Sequence, residues 1–369
     1  MAVGTSTPGL FDLTPTEDQR LIRDTAAEFA AEQLRDRAAE ADTRHGAPDD
    51  LVAKSAELGL TLLGVPEELG GVATARAAVT SILVTEALAT GDMGLAVACL
   101  ASAAVSTALA RWGSGDAQAT YLPRFVGADV PVAALAIAEP HALADPFEPH
   151  TVARRAPGGF VLDGAKSMVV RAAQAELFVI SAHLEGGGPA LFMVEADTSG
   201  LTVTADPAMG VRAAGLGRVD LTDVHVPETA LLGEAYAECV RLSRLAWCGL
   251  AVGTAQAVLD YVIPYVNDRV AFGEPVSHRQ GVAFTVADIA IELEAMRLAT
   301  YRAAARADAG LPFAREAALA HRLCAEKGMR IGSDGVQLLG GHGYVREHPV
   351  ERWYRDLRAV GVATGGVLV

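Results

Sequence analysis

Two stretches late in the sequence have residue types and spacing that could do chemistry. Gln337-Leu-Leu-Gly-Gly-His-Gly-Tyr344 sets a glycine pair after an amphipathic run. Glycine brings no side chain and tolerates unusual dihedrals, so the pair lets a backbone come close to something bulky and anionic. Val350-Glu-Arg-Trp-Tyr-Arg-Asp356 follows, a basic and aromatic run that reads as a docking helix. His342 lies inside the glycine turn, where a lone histidine more often serves as a local hydrogen-bonding group. Gly186-Gly-Gly-Pro189 has no helix after it, which makes it a surface hairpin loop and not a phosphate cradle. Cys99, Cys239, Cys248 and Cys324 sit far apart with no CxxC pair. That spacing predicts free buried thiols in a reducing cytoplasm, with no disulfide frame and no zinc site.

The elements that must position these residues fall into three blocks. A chain of 369 residues with 51% hydrophobic composition can build two or three layers of core. Its net charge of −15 argues against nucleic acid and against a polybasic membrane anchor. The start, Met1-Ala-Val-Gly-Thr-Ser-Thr-Pro8, has neither a basic region nor an apolar one, so no secretory signal is expected. Met93 to Ala110 is uncharged and long enough to suggest a membrane span. Its small residues instead predict a tightly packed central helix.

Thr14-Pro15-Thr16-Glu17 predicts a helix start, with Thr14 as the cap and Glu17 closing a capping box. Leu21, Ile22, Thr25, Phe29 and Ala30 then share a face at helical spacing. A second helix is expected from Asp49 to about Gly59, a loop at Val65 to Gly71, and helices onward to about Tyr121. From Val130 the pattern turns to short strands, at 160–162, 177–180, 190–194 and 219–226. Helical periodicity returns over 236–266, 279–308 and 313–337. Helices, then strands, then helices, without βαβ alternation, predict an α+β protein of segregated domains. These are an N-terminal α-bundle over 1–129, a middle antiparallel β-domain over 130–234 and a C-terminal four-helix bundle over 235–369.

In that order the blocks resemble the acyl-CoA dehydrogenase family, over residues 11–369. Val65 to Gly71 is similar to the family's Pro-Glu-x-x-Gly-Gly loop, and Ala138-Glu-Pro-His-Ala-Leu-Ala-Asp145 to its Thr-Glu-Pro-x-Ala-Gly-Ser-Asp. Leu162-Asp-Gly-Ala-Lys166, Met209-Gly-Val-Arg212, Asp223-Val-His-Val-Pro227, Leu232-Gly-Glu234 and Arg269-Val-Ala-Phe-Gly273 also stand close to family motifs. Each is weak alone; their joint order carries the resemblance.

The resemblance implies an FAD enzyme that removes two hydrogens from the Cα–Cβ bond of an acyl-CoA thioester. A carboxylate takes the α-proton and the flavin takes the β-hydride. It further implies an FAD shared between two subunits. Arg269, Phe272, Gln280, Gln337, Gly340 and Gly341 match the positions that hold the pyrophosphate and adenine end of a neighbour's FAD. Ala138, Met168 and Val170 match the positions that hold the ring. There the family's threonine, stacking tryptophan and second threonine are replaced by apolar side chains, and its serine by Ala144. The family base is absent from both of its usual places, which here are Thr364 and Ser243. A hydroxyl cannot act as a general base near neutral pH without its own activator. Glu139, Glu234 and His342 are the other groups to test as a base. Arg244, Ala144, Leu242 and Trp247 match the surroundings of the acyl-CoA substrate, although Leu242 and Trp247 would serve equally well as bundle core.

Three readings follow. The chain is a subunit of a heteromeric acyl-CoA dehydrogenase that completes a partner's FAD site, a self-sufficient homotetramer with a relocated base, or a cofactor-free scaffold. Replacements confined to the ring-holding half favour the first. The resemblance also implies an electron-transfer flavoprotein as acceptor and a role in fatty acyl or steroid degradation.

Overall fold

The computed structural model describes residues 14–73, 77–126, 129–233 and 235–369. Helix α1 (Glu17–Phe29) begins two residues later than expected. Thr16 is the cap: its hydroxyl accepts from Gln19 N at 3.2 Å while Gln19 Oε1 accepts from Thr16 N at 3.0 Å. This register puts Glu17 and Asp18 into the first turn, where the helix dipole favours acids. Leu21 is 68% exposed, and the buried face is Ala26, Phe29 and Ala30.

Helices α2 (Ala38–Arg44), α3 (Asp49–Glu57), α4 (Ala78–Ala89), α5 (Met93–Trp112) and α6 (Gly115–Tyr121) complete the first block. Asp92 caps α5, its Oδ1 accepting from Leu95 N at 2.9 Å. The apolar window of α5 is 94% buried in the fold, as expected of a central helix.

Strands β1 (Ala133–Ala136), β2 (Val152–Ala156), β3 (Gly159–Val169), β4 (Leu177–Leu184), β5 (Pro189–Glu195), β6 (Leu201–Ala205) and β7 (Gly217–Pro227) form one sheet. It is mixed, which corrects the antiparallel expectation: β4 pairs in parallel with β1 and with β2. Forty residues, including the β2–β3 hairpin, separate β1 from β4, enough for a crossover. The remaining pairings are antiparallel.

Helix α7 (Tyr236–Asp268) is the axis of the last block. A small hairpin of β8 (Val270–Ala271) and β9 (Glu274–Pro275) joins it to α8 (Gln280–Asp308), which is followed by α9 (Ala314–Leu338) and α10 (Val350–Leu357). At Gly253 of α7 an added Cβ would lie 2.1 Å from Glu86 O, so glycine permits the close crossing with α4. The docking helix α10 docks within its own chain, burying Val350, Arg352, Trp353, Asp356 and Leu357. Arg355 grips both carboxylate oxygens of Asp42 at 2.9 Å. Arg352 Nε meets Asp92 Oδ2 at 2.9 Å, and Asp356 Oδ1 accepts from Val211 N at 2.6 Å. α10 thus ties the last block to the first two and fixes where the segment after it runs.

Two candidate sites on one helix

One cavity, of about 450 Å³, lies where the sheet, α7, α9 and the segment after α10 meet. It gathers Ala138, Glu139, Ala144, Asp145, Met168, Arg244, His321 and Thr364. Glu139 is built into the wall. Its Oε1 accepts from Lys166 Nζ at 2.7 Å, Thr151 Oγ1 at 2.7 Å and Thr151 N at 2.8 Å, and its Oε2 accepts from His150 N at 2.7 Å. Burial pushes this carboxyl up, but Lys166 and Thr151 outweigh it and hold it down at about 2. A carboxylate so acidic and so fully bonded is a structural anchor and a poor base. The buried Lys166 also donates to Ser181 Oγ at 2.8 Å.

Of the two positions that match the family base, Ser243 holds the late segment and Thr364 is part of it. Ser243 Oγ accepts from Gly365 N at 2.8 Å, and Trp247 Nε1 donates to Gly365 O at 3.0 Å. Gly366 N donates to Leu135 O at 2.9 Å, and Gly365 bridges to Ala136 on β1. Thr364 reaches the cavity, but with no activating partner among the described residues. Leu242 and Trp247 are 0% and 2% exposed and lie in the bundle core. Their expected substrate contact is thereby corrected: the residue of α7 that lines this cavity is the half-buried Arg244.

Val170 also departs from expectation. It is 1% exposed and covered by Gly366, where an added Cβ would stand 2.6 Å from Val170 Cγ2. Gly366 has φ +74°, so Gly366→Ala combines strain with a clash. It is expected to cost about 1–3 kcal/mol, read from the midpoint of urea unfolding. Two donors beside Met168 are already committed. Ser167 Oγ and Met168 N both bond Asp206 Oδ2, at 2.9 and 2.8 Å. With the family's two threonines and its tryptophan replaced by Ala138, Val170 and Met168, this half offers a polar flavin edge fewer partners than the family motif and fits a flavin ring poorly.

A second cavity, of about 720 Å³, opens where α7 ends and α8 begins. It brings together Arg269, Gln337, Gly340 and Gly341, and adds Arg279, which sequence reasoning missed although it directly precedes Gln280. Among the described residues the Arg269 guanidinium has no partner. An added Cβ on Gly341 meets nothing within 4 Å, so the chain's own packing does not demand glycine there. Phe272 is 97% exposed on the β8–β9 turn, with the Arg279 guanidinium 5.6 Å from its ring centre. Gln280, exposed, opens α8 beside them. Two arginines, a helix start and an open glycine backbone fit a diphosphate.

His342 belongs to this second cavity. Its Nδ1 lies 2.9 Å from Tyr265 OH and its ring stacks on His348 at 5.1 Å, a local role as expected, in a different cavity from Thr364. Glu234 lies outside the described residues. His321 at the first cavity carried no sequence motif. Burial and the nearby Arg244 charge hold its pKa down at about 4, and its Nε2 lies 2.9 Å from Val360 O.

The three models of acyl-CoA dehydrogenase domains match this chain in order: the N-terminal domain over residues 16–129, the middle domain over 134–224 and the C-terminal domain over 234–366. The mitochondrial short-chain specific acyl-CoA dehydrogenase of Mus musculus is 32% identical over 360 residues, covering 95% of this chain and 87% of the relative. Butyryl-CoA dehydrogenase from Megasphaera elsdenii superposes with a TM-score of 0.87 at 27% identity, covering 95% of each chain. A structure of PigA with FAD and proline gives 0.87 at 25% identity, again over 95% of each. The chain therefore belongs to the acyl-CoA dehydrogenase family, flavoprotein oxidoreductases acting on the CH–CH bond of acyl-CoA.

Proposed function

We propose that this chain is the subunit of a heteromeric acyl-CoA dehydrogenase that lends its second cavity to an FAD whose ring and catalytic base belong to a partner chain. One observation carries the reading. Arg244 at the first cavity and Arg269 at the second are twenty-five residues apart along α7, about 37 Å by helical rise. The two cavities share no lining residue. One extended dinucleotide cannot bridge them, so each half-site on this chain faces a different cofactor, and only the phosphate-binding half is equipped.

FAD supplies the hydride acceptor when bound; this chain supplies Arg269 and Arg279 for its phosphates, Phe272 as a flat face, and the Gly340-Gly341 backbone. Exposed Phe284, Ile291 and Leu298 recur at seven-residue spacing on α8 and give an apolar stripe on which a paralogous chain could pack into a tetramer. An electron-transfer flavoprotein is the expected acceptor, and four buried free cysteines suit a reducing cytoplasm.

The test is the visible spectrum and native mass of the chain, alone and co-expressed with a paralogue carrying the base. Colourless protein alone, gaining one flavin per pair of chains with the paralogue, is the expected result. Arg269→Ala should then weaken flavin retention by about 10- to 150-fold, the loss of a charged hydrogen bond of about 1.5–3 kcal/mol. Thr364→Ala should leave flavin content unchanged. A yellow homotetramer with one FAD per chain would sink the reading and point to Asp145, the other carboxylate lining the first cavity, as a relocated base.

A further inference from the structure

Three side chains of metal-binding type converge on the loop between β1 and β2. Glu139, His141 and His150 each bring one donor atom within 4.8 Å of the others. The two imidazole rings lie 4.9 Å apart, and both histidines are exposed. Glu139 is their fixed point. Its Oε1 is taken by Lys166 and Thr151, while its Oε2 accepts from His150 N and lies 3.2 Å from His150 Nδ1. That last separation matches the spacing of about 3.3 Å between two donors on one tetrahedral zinc ion. The exposed His141 closes the remaining distance by rotation of its own side chain.

The chain around the three restrains them. Pro140 stands between Glu139 and His141, and Pro149 directly precedes His150, so two φ angles of the loop are fixed. Tyr236 OH donates to Pro146 O in the middle of the loop. Lys166 and Thr151 orient the carboxylate from behind, as hydrogen-bond partners of a metal ligand do. The cations near the loop are already answered. Lys166 is bonded to Glu139, and Arg244 rests over the Phe147 ring at 5.0 Å and is attracted by Asp145.

We infer that Glu139, His141 and His150 form a binding site for one divalent transition-metal ion of the zinc type. Two imidazoles and a carboxylate select such an ion over magnesium or calcium, which take oxygen donors. The ion takes the place between His150 Nδ1 and Glu139 Oε2 that a proton holds otherwise, and it clips residues 142–149 into one conformation. That loop carries Ala144 and Asp145 to the wall of the first cavity, so the metal sets the shape of its mouth. The inference does not depend on which chain holds the flavin.

The test is calorimetric titration of the tag-free, chelator-washed chain with zinc chloride and with magnesium chloride. One zinc per chain should bind, at least about 100-fold more tightly than magnesium. His141→Asn and His150→Asn should each weaken zinc binding at least about tenfold, and the double variant should lose it. Both histidines are exposed, so these variants should fold as the parent does. His225→Asn is the control, because His225 Nε2 lies 3.4 Å from Asp223 in an exposed pair; it should bind zinc as the parent does. Saturating zinc should raise the unfolding temperature of the parent and not that of the double variant. No zinc binding, equal affinity for magnesium, full binding in the double variant, or an equal loss in His225→Asn would each overturn the inference.

Discussion

Glu139→Ala is expected to destabilise the protein by about 3–5 kcal/mol, because it strands the Lys166 ammonium in the interior. Lys166 is 0% exposed and the Glu139 side chain 4% exposed, so neither charge is screened by water. The same carboxylate also satisfies Thr151 N and His150 N, which would lose their acceptor. Glu139→Gln keeps an acceptor oxygen and should cost less. Removing both charges, in Glu139→Ala with Lys166→Met, should recover much of the loss. The pH dependence has a definite sign. The folded-state pKa of Glu139 is lowered to about 2 from a reference of 4.5, so its contribution is complete above 4.5 and fades as pH falls toward 2. Urea midpoints measured from pH 6 to pH 3 should therefore converge for parent and Glu139→Ala. A variant no less stable than Glu228→Ala, at an exposed ion pair, would show that this anchor is unimportant.

That anchor also shows where the sequence was readable. Elements with strong composition could be placed: the uncharged run of α5 had to be buried, and the absence of a carboxylate at Thr364 and Ser243 is plain from residue type alone. Weak elements could not. Strand β2 reads Val-Ala-Arg-Arg-Ala and β6 Leu-Thr-Val-Thr-Ala, short and half-exposed, and only their partners in the sheet make them strands. The cap of α1 was ambiguous because Thr14 and Thr16 each begin a capping-box pattern. The site was legible as a set of positions but not as a space. Leu242 and Trp247 sit within one turn of Arg244, and no periodicity says which of them a cavity opens beside. The late segment is the largest omission. Residue type marks Thr364 as a departure from the family base, whereas the structure shows the next two residues, Gly365 and Gly366, paired to β1 and closing over Val170.

The second large effect is expected at α10. Arg352→Ala should cost about 3–5 kcal/mol, since it leaves the 1%-exposed Asp92 carboxylate without its cation. Asp92 cannot simply turn to solvent, because its other oxygen caps α5 through Leu95 N. Burial already pushes the Asp92 pKa up, with Arg352 pulling it back. Without Arg352 nothing opposes the upward push of burial, and the folded state should hold the proton to higher pH, so the penalty should grow as pH rises. A loss of packing alone would be independent of pH. Asp356 provides the internal comparison. Burial first, and then the Asp92 charge, raise its pKa from 3.8 to about 8. A carboxyl that is protonated when folded and ionised when unfolded makes stability fall with rising pH across that interval. Asp356→Asn keeps an oxygen for Val211 N while removing the titration, so it should flatten the fall and gain stability above pH 8. Urea midpoints of the parent, Arg352→Ala and Asp356→Asn across pH 5–9 decide between the two roles. If all three curves run parallel, the α10 cluster holds the blocks together by shape and not by charge.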